Sequence, residues 1–133
     1  FYDSSLLYDF TQKQLSICDI DLFRPRPLVN ILGPDYPGTK RLKAPEEYLL
    51  GAEITPATGV FTLGALLFHF FGSYTQEELQ QMYQENRFFP CRRETWQLSP
   101  KRYAIALKAV DPVPLNRYPS LKDFRRDWES DPI

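Results

Sequence analysis

The sequence is short of the residues that build zinc centres and Gly-rich phosphate loops. It has one histidine and two cysteines in 133 residues. Cys18 and Cys91 stand far apart, with no CxxC spacing and no His/Cys cluster, which argues against a zinc centre. They read as reduced thiols of a cytoplasmic protein, with a disulfide between them as the alternative. Glycine is scarce at six residues, and none of these forms a Gly-rich phosphate loop. No secretory signal pattern is present. The most apolar run, Val60 to Phe71, is too short to span a hydrocarbon core of roughly 30 Å and carries His69. Neither sign of charge dominates, since the net charge is −1. Arg92-Arg93 and Arg125-Arg126 are short solvated pairs, so neither nucleic acid nor membrane is an expected partner. Repeats and low-complexity segments are absent.

Apolar residues make up 43% of the chain and aromatic residues 15%, enough to fill the core of one domain of this length. Leu6 to Phe10 and Gln14 to Asp19, around a polar turn at Thr11 to Lys13, predict a β-hairpin. Leu15, Ile17 and Asp19 fall on one face, Ser16 and Cys18 on the other. Pro25, Pro27, Pro34, Pro37 and Pro45, with Gly33 and Gly38, exclude a long helix or a central strand between residues 21 and 45. A loop this long inside a compact domain is usually functional or mobile.

Helices follow. Pro45 opens a short one over Glu46 to Leu50, which Gly51 ends. Thr55-Pro56 is an N-cap with proline at the first helical position. In the helix it opens, apolar residues from Val60 to Phe71 surround the axis, which predicts a central post buried on all sides. Thr75 and Glu78 form a capping box, opening a helix to about Gln84 with Leu79, Met82 and Tyr83 inward. Met82 reads as core filler. Phe88-Phe89-Pro90 is a turn with apolar anchors. Ser99-Pro100 caps a helix presenting Tyr103, Ala106, Leu107 and Val110, which stops at Asp111-Pro112. Ser120 caps the last helix, with Leu121, Phe124 and Trp128 at helical spacing. The expected architecture is mainly α: a small N-terminal hairpin (5–19), a long loop (19–46) and about five helices around a central one (46–129).

Four ordered motifs carry a resemblance. Cys18-Asp19-Ile20-Asp21 stands at the end of the hairpin. Gly38-Thr39 and then Ala44-Pro45-Glu46 close the long loop. Gly59-Val60-Phe61-Thr62-Leu63-Gly64 lies on the hydrophobic helix. Asp111-Pro112 and Arg117-Tyr118-Pro119-Ser120 precede the last helix. In order and spacing these resemble the Asp-Phe-Gly, Ala-Pro-Glu, Asp-Val-Trp-Ser-Leu-Gly and Asp-Pro…Arg-Pro-Ser elements of eukaryotic-type protein kinases. The resemblance covers nearly the whole chain. It implies a C-lobe fragment running from just after the catalytic loop to the last helix, an implication that a start at Phe1, not methionine, accords with.

The resemblance assigns roles. Asp19 would hold the Mg²⁺ that bridges nucleotide phosphates, since magnesium takes hard oxygen ligands. Ser5 falls where the family carries its metal-binding Asn, and Tyr2 where it carries Lys. The catalytic base would lie immediately before Phe1, so no catalytic residue is expected within the chain. Thr39 matches the threonine of the substrate-receiving loop. Glu46 and Arg117 match a buried ion pair of structural purpose, for which a planar guanidinium suits better than an ammonium. His69 reads as a core or interface histidine.

Asp21 replaces the family's glycine. Gly59 replaces an aspartate that anchors the catalytic loop, and a glycine costs a helix about 1 kcal/mol relative to alanine. Two readings stand. One is a divergent serine/threonine kinase using ATP and Mg²⁺ to phosphorylate a protein or small-molecule hydroxyl, the fragment alone being inactive and carrying neither cofactor. The other is a pseudokinase or interaction module, which Tyr2, Ser5 and Gly59 favour. In either case the missing N-lobe would be a partner of this surface, and the fragment alone would self-associate through apolar area left uncovered.

Overall fold

The computed structural model describes residues 5–18, 25 and 28–132. The hairpin comprises β1 (Leu6–Asp9) and β2 (Gln14–Ile17), antiparallel with Leu6 opposite Ile17 and Asp9 opposite Gln14. Asp9 closes its turn, its Oδ1 accepting from the amides of Thr11 at 2.8 Å and Gln12 at 2.9 Å. Aspartate favours this local geometry because its short carboxylate reaches its own backbone two and three residues on. Lys13 takes the left-handed conformation, φ 53°. The two faces of the hairpin do not divide into core and solvent. Leu7, Tyr8, Phe10, Leu15 and Ile17 are all exposed, because among the described residues no second layer covers either face. Asp19, Ile20 and Asp21 lie outside the described residues, as do Phe1 and Tyr2.

The proline-rich stretch is irregular, yet it starts in a ladder: β3 (Leu28–Val29) pairs antiparallel with β4 (Glu53–Ile54). Between them run two short 3-10 turns, Gly33–Asp35 and Pro45–Tyr48. The second replaces the short helix expected over Glu46 to Leu50. It ends at Leu49 in extended geometry, and Gly51 turns the chain at φ +81°.

Helix α1 (Pro56–Phe71) is the post. It separates two clusters. Phe61, Ala65, Leu66 and Phe68 pack with Leu42, Ala44, Cys91, Trp96, Ala106 and Val110. Val60 packs with Ile105, Ala109, Tyr118 and Phe124. Burial on two sides is what an apolar periphery requires. It is not complete, however. Phe70 is 48% exposed, and His69 and Phe71 are half-buried, although Phe68 in the same turn is fully buried.

Phe68 is fully buried at the centre of an aromatic group, its ring 5.0 Å from that of Trp96 and 5.8 Å from those of Phe88 and Tyr103. These centroid separations fall within the range of attractive ring pairs.

Three further helices complete the described chain: α2 (Gln76–Glu85), α3 (Pro100–Ala109) and α4 (Leu121–Glu129). The structure thus has four α-helices among its described residues, with 3-10 turns where a fifth was expected. The N-caps act as their residue types dictate: Thr75, Ser99 and Ser120 each accept from the amide three residues on. The inward faces differ from expectation. In α2 Met82 alone is buried, whereas Leu79 and Tyr83 are exposed. In α3 the buried set is Ile105, Ala106 and Ala109, while Tyr103 and Leu107 are half-buried, because this helix is clasped between α1 and α4. In α4 Phe124 is buried, Trp128 half-buried and Leu121 exposed. Its C-terminal end is tied to the start of α3: Arg102 Nη2 donates to the Asp131 carbonyl at 2.6 Å, and Ser99 Oγ donates to the Asp131 carboxylate.

The crossing of α1 and α3 depends on Gly64. A β-carbon there would lie 2.8 Å from Ala109 Cβ and 2.9 Å from Val110 Cγ1. Gly64→Ala is therefore expected to force the two helices apart and cost about 1–3 kcal/mol. Urea unfolding measures this, and Ala109→Gly in the same chain should return part of the loss.

Candidate functional site

The densest polar constellation in the described structure surrounds Glu46 and Arg117. They are 71 positions apart in sequence. The turn opened by Pro45 brings the first inward, and the extended exit from the Pro114–Asn116 turn brings in the second. Arg117 Nη1 donates to Glu46 Oε1 at 2.7 Å and Nη2 to Oε2 at 2.9 Å. This is the parallel fork that only a guanidinium can offer a carboxylate.

The remaining N–H groups reach backbone carbonyls: Nε to Asp111 at 2.6 Å, Nη1 also to Ala57 at 3.2 Å, and Nη2 also to Pro112 at 3.3 Å. A guanidinium has five N–H donors, and these five bonds employ them all. Its plane lies over Phe61, 4.8 Å from the ring centroid. Thr58 joins from α1, its hydroxyl donating to Glu46 Oε1 at 2.8 Å while accepting from the Thr55 amide at 3.1 Å.

Glu46 and Arg117 are both buried, at 6% and 3% exposure. Burial by itself pushes the Glu46 carboxyl pKa up. Hydrogen bonds from Arg117, the Glu46 amide and Thr58, with the guanidinium charge, outweigh it and hold the group below its ordinary value. With every guanidinium donor committed, Arg117 has none left to offer a substrate. The pair is a fastener joining the end of the proline-rich loop, the start of α1 and the link before α4.

On the loop side, Thr39 is half-buried, and its carbonyl accepts from Leu42 at 2.8 Å and Lys43 at 3.1 Å. Two residues that sequence reasoning passed over hold this loop. Asn30 is fully buried. Its Nδ2 donates to the carbonyls of Gly33 at 3.0 Å and Glu47 at 3.2 Å, and its Oδ1 accepts from Leu32 at 3.0 Å. Lys43 is 5% exposed, and its Nζ donates to the carbonyls of Tyr36 at 2.6 Å and Pro34 at 3.1 Å. Burial is the main cause that lowers its pKa; Glu47 and Asp35 oppose this. The available signals were faint: an asparagine just after Leu28-Val29 and before a Gly-Pro turn, and a lysine between Leu42 and Ala44.

Of the proposed metal-binding positions, Ser5 is described and Asp19 is not. Ser5 is 2% exposed, its Oγ has no hydrogen-bond partner among the described residues, and its carbonyl accepts from the Cys18 amide at 2.9 Å. The hairpin therefore sets Ser5 beside the residue that precedes Asp19. Among the described residues no group of three His, Cys, Asp or Glu side chains could hold a metal ion. His69 lies in the last turn of α1, with its ring 5.4 Å from that of Phe70.

No protein-family model matches the sequence, and no curated protein matches it. No helix among the described residues is long and apolar enough to cross a membrane.

Removing either partner of the buried pair strands a charge. Arg117→Met is expected to cost about 3–5 kcal/mol, and Arg117→Lys most of that, because an ammonium cannot make the fork. Chemical denaturation tests both. The pH dependence follows from the depressed carboxyl of Glu46: its contribution is present above its ordinary value of 4.5 and is lost as pH falls through the lower folded value. Thermal unfolding between neutral pH and about 3 should show this loss, and Glu46→Gln should remove the portion due to this group.

Proposed function

We propose that this chain is the C-lobe portion of a divergent serine/threonine protein kinase-like enzyme, one that in its intact form transfers a phosphoryl group from Mg²⁺-bound ATP to a hydroxyl. The observation that carries the reading is the buried fork between Glu46 and Arg117. It joins the Ala44-Pro45-Glu46 motif to the Arg117-Tyr118-Pro119-Ser120 motif, against the helix that bears Val60-Phe61-Thr62-Leu63-Gly64. These segments have no reason of local sequence to meet.

In this reading Thr39 belongs to the loop that receives the hydroxyl substrate. Asp19 and Ser5 would hold Mg²⁺. The Ser5 hydroxyl, buried and without a hydrogen-bond partner among the described residues, suits a cation that keeps several waters and takes few protein oxygens, and the ion would neutralise phosphate charge during transfer. The exposed apolar hairpin, with Leu7, Tyr8, Phe10, Leu15 and Ile17, is the surface an N-lobe would cover. A second reading, a pseudokinase serving as an interaction module, is favoured by Gly59. It stands in the first turn of α1 without a side chain to anchor a catalytic loop, and Ser5 stands in place of a stronger metal ligand.

The test uses the intact protein with Mg²⁺-ATP and a general protein acceptor. Turnover is expected, with Asp19→Ala lowering it on the order of 10²-fold through lost charge stabilisation, and Thr39→Ala raising the acceptor KM. A folded protein that neither binds nor consumes Mg²⁺-ATP establishes the second reading instead. The 1–133 chain alone should self-associate through its apolar hairpin. Light scattering that shows a monomer at high concentration counts against that part of the proposal.

A further inference from the structure

Lys43 has a buried cation that the ion-pair fastener does not use. Its ammonium reaches two carbonyls of the loop ahead of it, those of Pro34 and Tyr36, and lies 4.2 Å from the centroid of the Tyr48 ring. Its stem occupies the space above Gly38. A β-carbon at Gly38 would sit 2.8 Å from Lys43 Cγ and 3.2 Å from Cδ, and Gly38 has φ +154°, so the turn is glycine's by conformation and by space. The Lys43 amide also bonds the Thr39 carbonyl.

The side chain thus touches the loop at the carbonyls of Pro34 and Tyr36 and along the face of Gly38, and the Lys43 main chain bonds the Thr39 carbonyl. Buried lysines are rare unless paired, and this one is compensated by backbone carbonyls and a ring face, with Glu47 and Asp35 as the nearby acids.

We propose that Lys43 is a positioning residue that holds residues 33–39 in one conformation, so that the segment assigned above to substrate reception is ordered without being phosphorylated. The substrate clause rests on the kinase-like reading, whereas the ordering clause does not. An internal cation bonded to loop carbonyls does what a phosphate bonded to arginines does in a modified loop: it supplies a charged anchor that the loop cannot leave cheaply. Here the anchor is encoded in the chain.

The experiment is hydrogen exchange on the intact protein, comparing wild type with Lys43→Met, which keeps an unbranched apolar stem and loses the ammonium. The amides of Asp35, Tyr36, Leu42 and Lys43, each bonded within the loop, should exchange about tenfold faster or more, as expected for losing bonds to a charged donor. Protection in α1 and α3 should be unchanged. Phosphatase treatment of the wild type should leave the loop amides as protected as before.

Unchanged loop protection in Lys43→Met, or its loss on phosphatase treatment, overturns the proposal. Should Lys43→Met lose protection everywhere, Gly38→Ala displaces the same stem and should show the local signature. If the intact protein phosphorylates an acceptor, Lys43→Met should raise the acceptor KM and leave the KM for ATP unchanged. Local loosening in a protein with no phosphoryl transfer sustains the positioning role and removes the kinase-like reading. Transfer activity with an unaltered loop does the reverse.

Discussion

A buried charge cannot be left alone, and the described fold is organised around one that is not. Arg117 lies out of water with Glu46 against it and backbone carbonyls around it. Breaking such a pair exposes the fold to the full desolvation cost of the remaining ion, so the three segments that meet there are obliged to stay together. The carbonyls of Asp111, Pro112 and Ala57 are part of that obligation. They come from the end of α3's exit turn and the first turn of α1, and Thr58 adds a side-chain bond from the same turn. The fork converts a proline-rich stretch with little regular structure into a fixed part of the domain.

The apolar architecture serves the same arrangement. Helix α1 has core on two sides: an aromatic group centred on Phe68, and a smaller cluster in which Val60 meets Phe124 and Tyr118. Phe61 belongs to the first cluster and also lies beneath the Arg117 guanidinium, so the ionic fastener and the hydrophobic core share a side chain. Gly64 lets α3 approach closely enough for this to close. At the other end of the chain the hairpin keeps its apolar side chains in the open, which places it at the margin of the packed body.

Local chemistry made much of this legible. Thr55-Pro56 starts α1, the Thr75 and Glu78 pair starts α2, and Ser99-Pro100 starts α3, each where capping physics places a helix start. The hairpin announced itself through two apolar runs around a polar turn. Helix faces were read less well. Leu79, Tyr83 and Leu121 have the spacing of an inward stripe but face solvent, whereas Ile105 and Ala109, outside the expected stripe, are buried. Spacing tells which residues share a face, not how many neighbours a helix will have. The meeting of Glu46 with Arg117 was suggested by a resemblance between ordered motifs, since nothing in the composition or period of either segment implies it. Asn30 and Lys43 leave only faint signals, because their hydrogen-bond partners are backbone groups, which every residue carries.

By itself the sequence determined a mostly helical chain, the positions at which helices begin, a post too apolar to stand in water, and a loop that prolines keep out of regular structure. These follow from forces that act within a few residues: capping, the fixed φ of proline, and the period of apolar side chains. Only the tertiary structure decided which carbonyls receive Lys43 and Asn30, which helix faces have company, and that one carboxylate and one guanidinium meet across 71 positions. Those outcomes depend on which surfaces are brought out of water together, and desolvation is a property of the assembled chain.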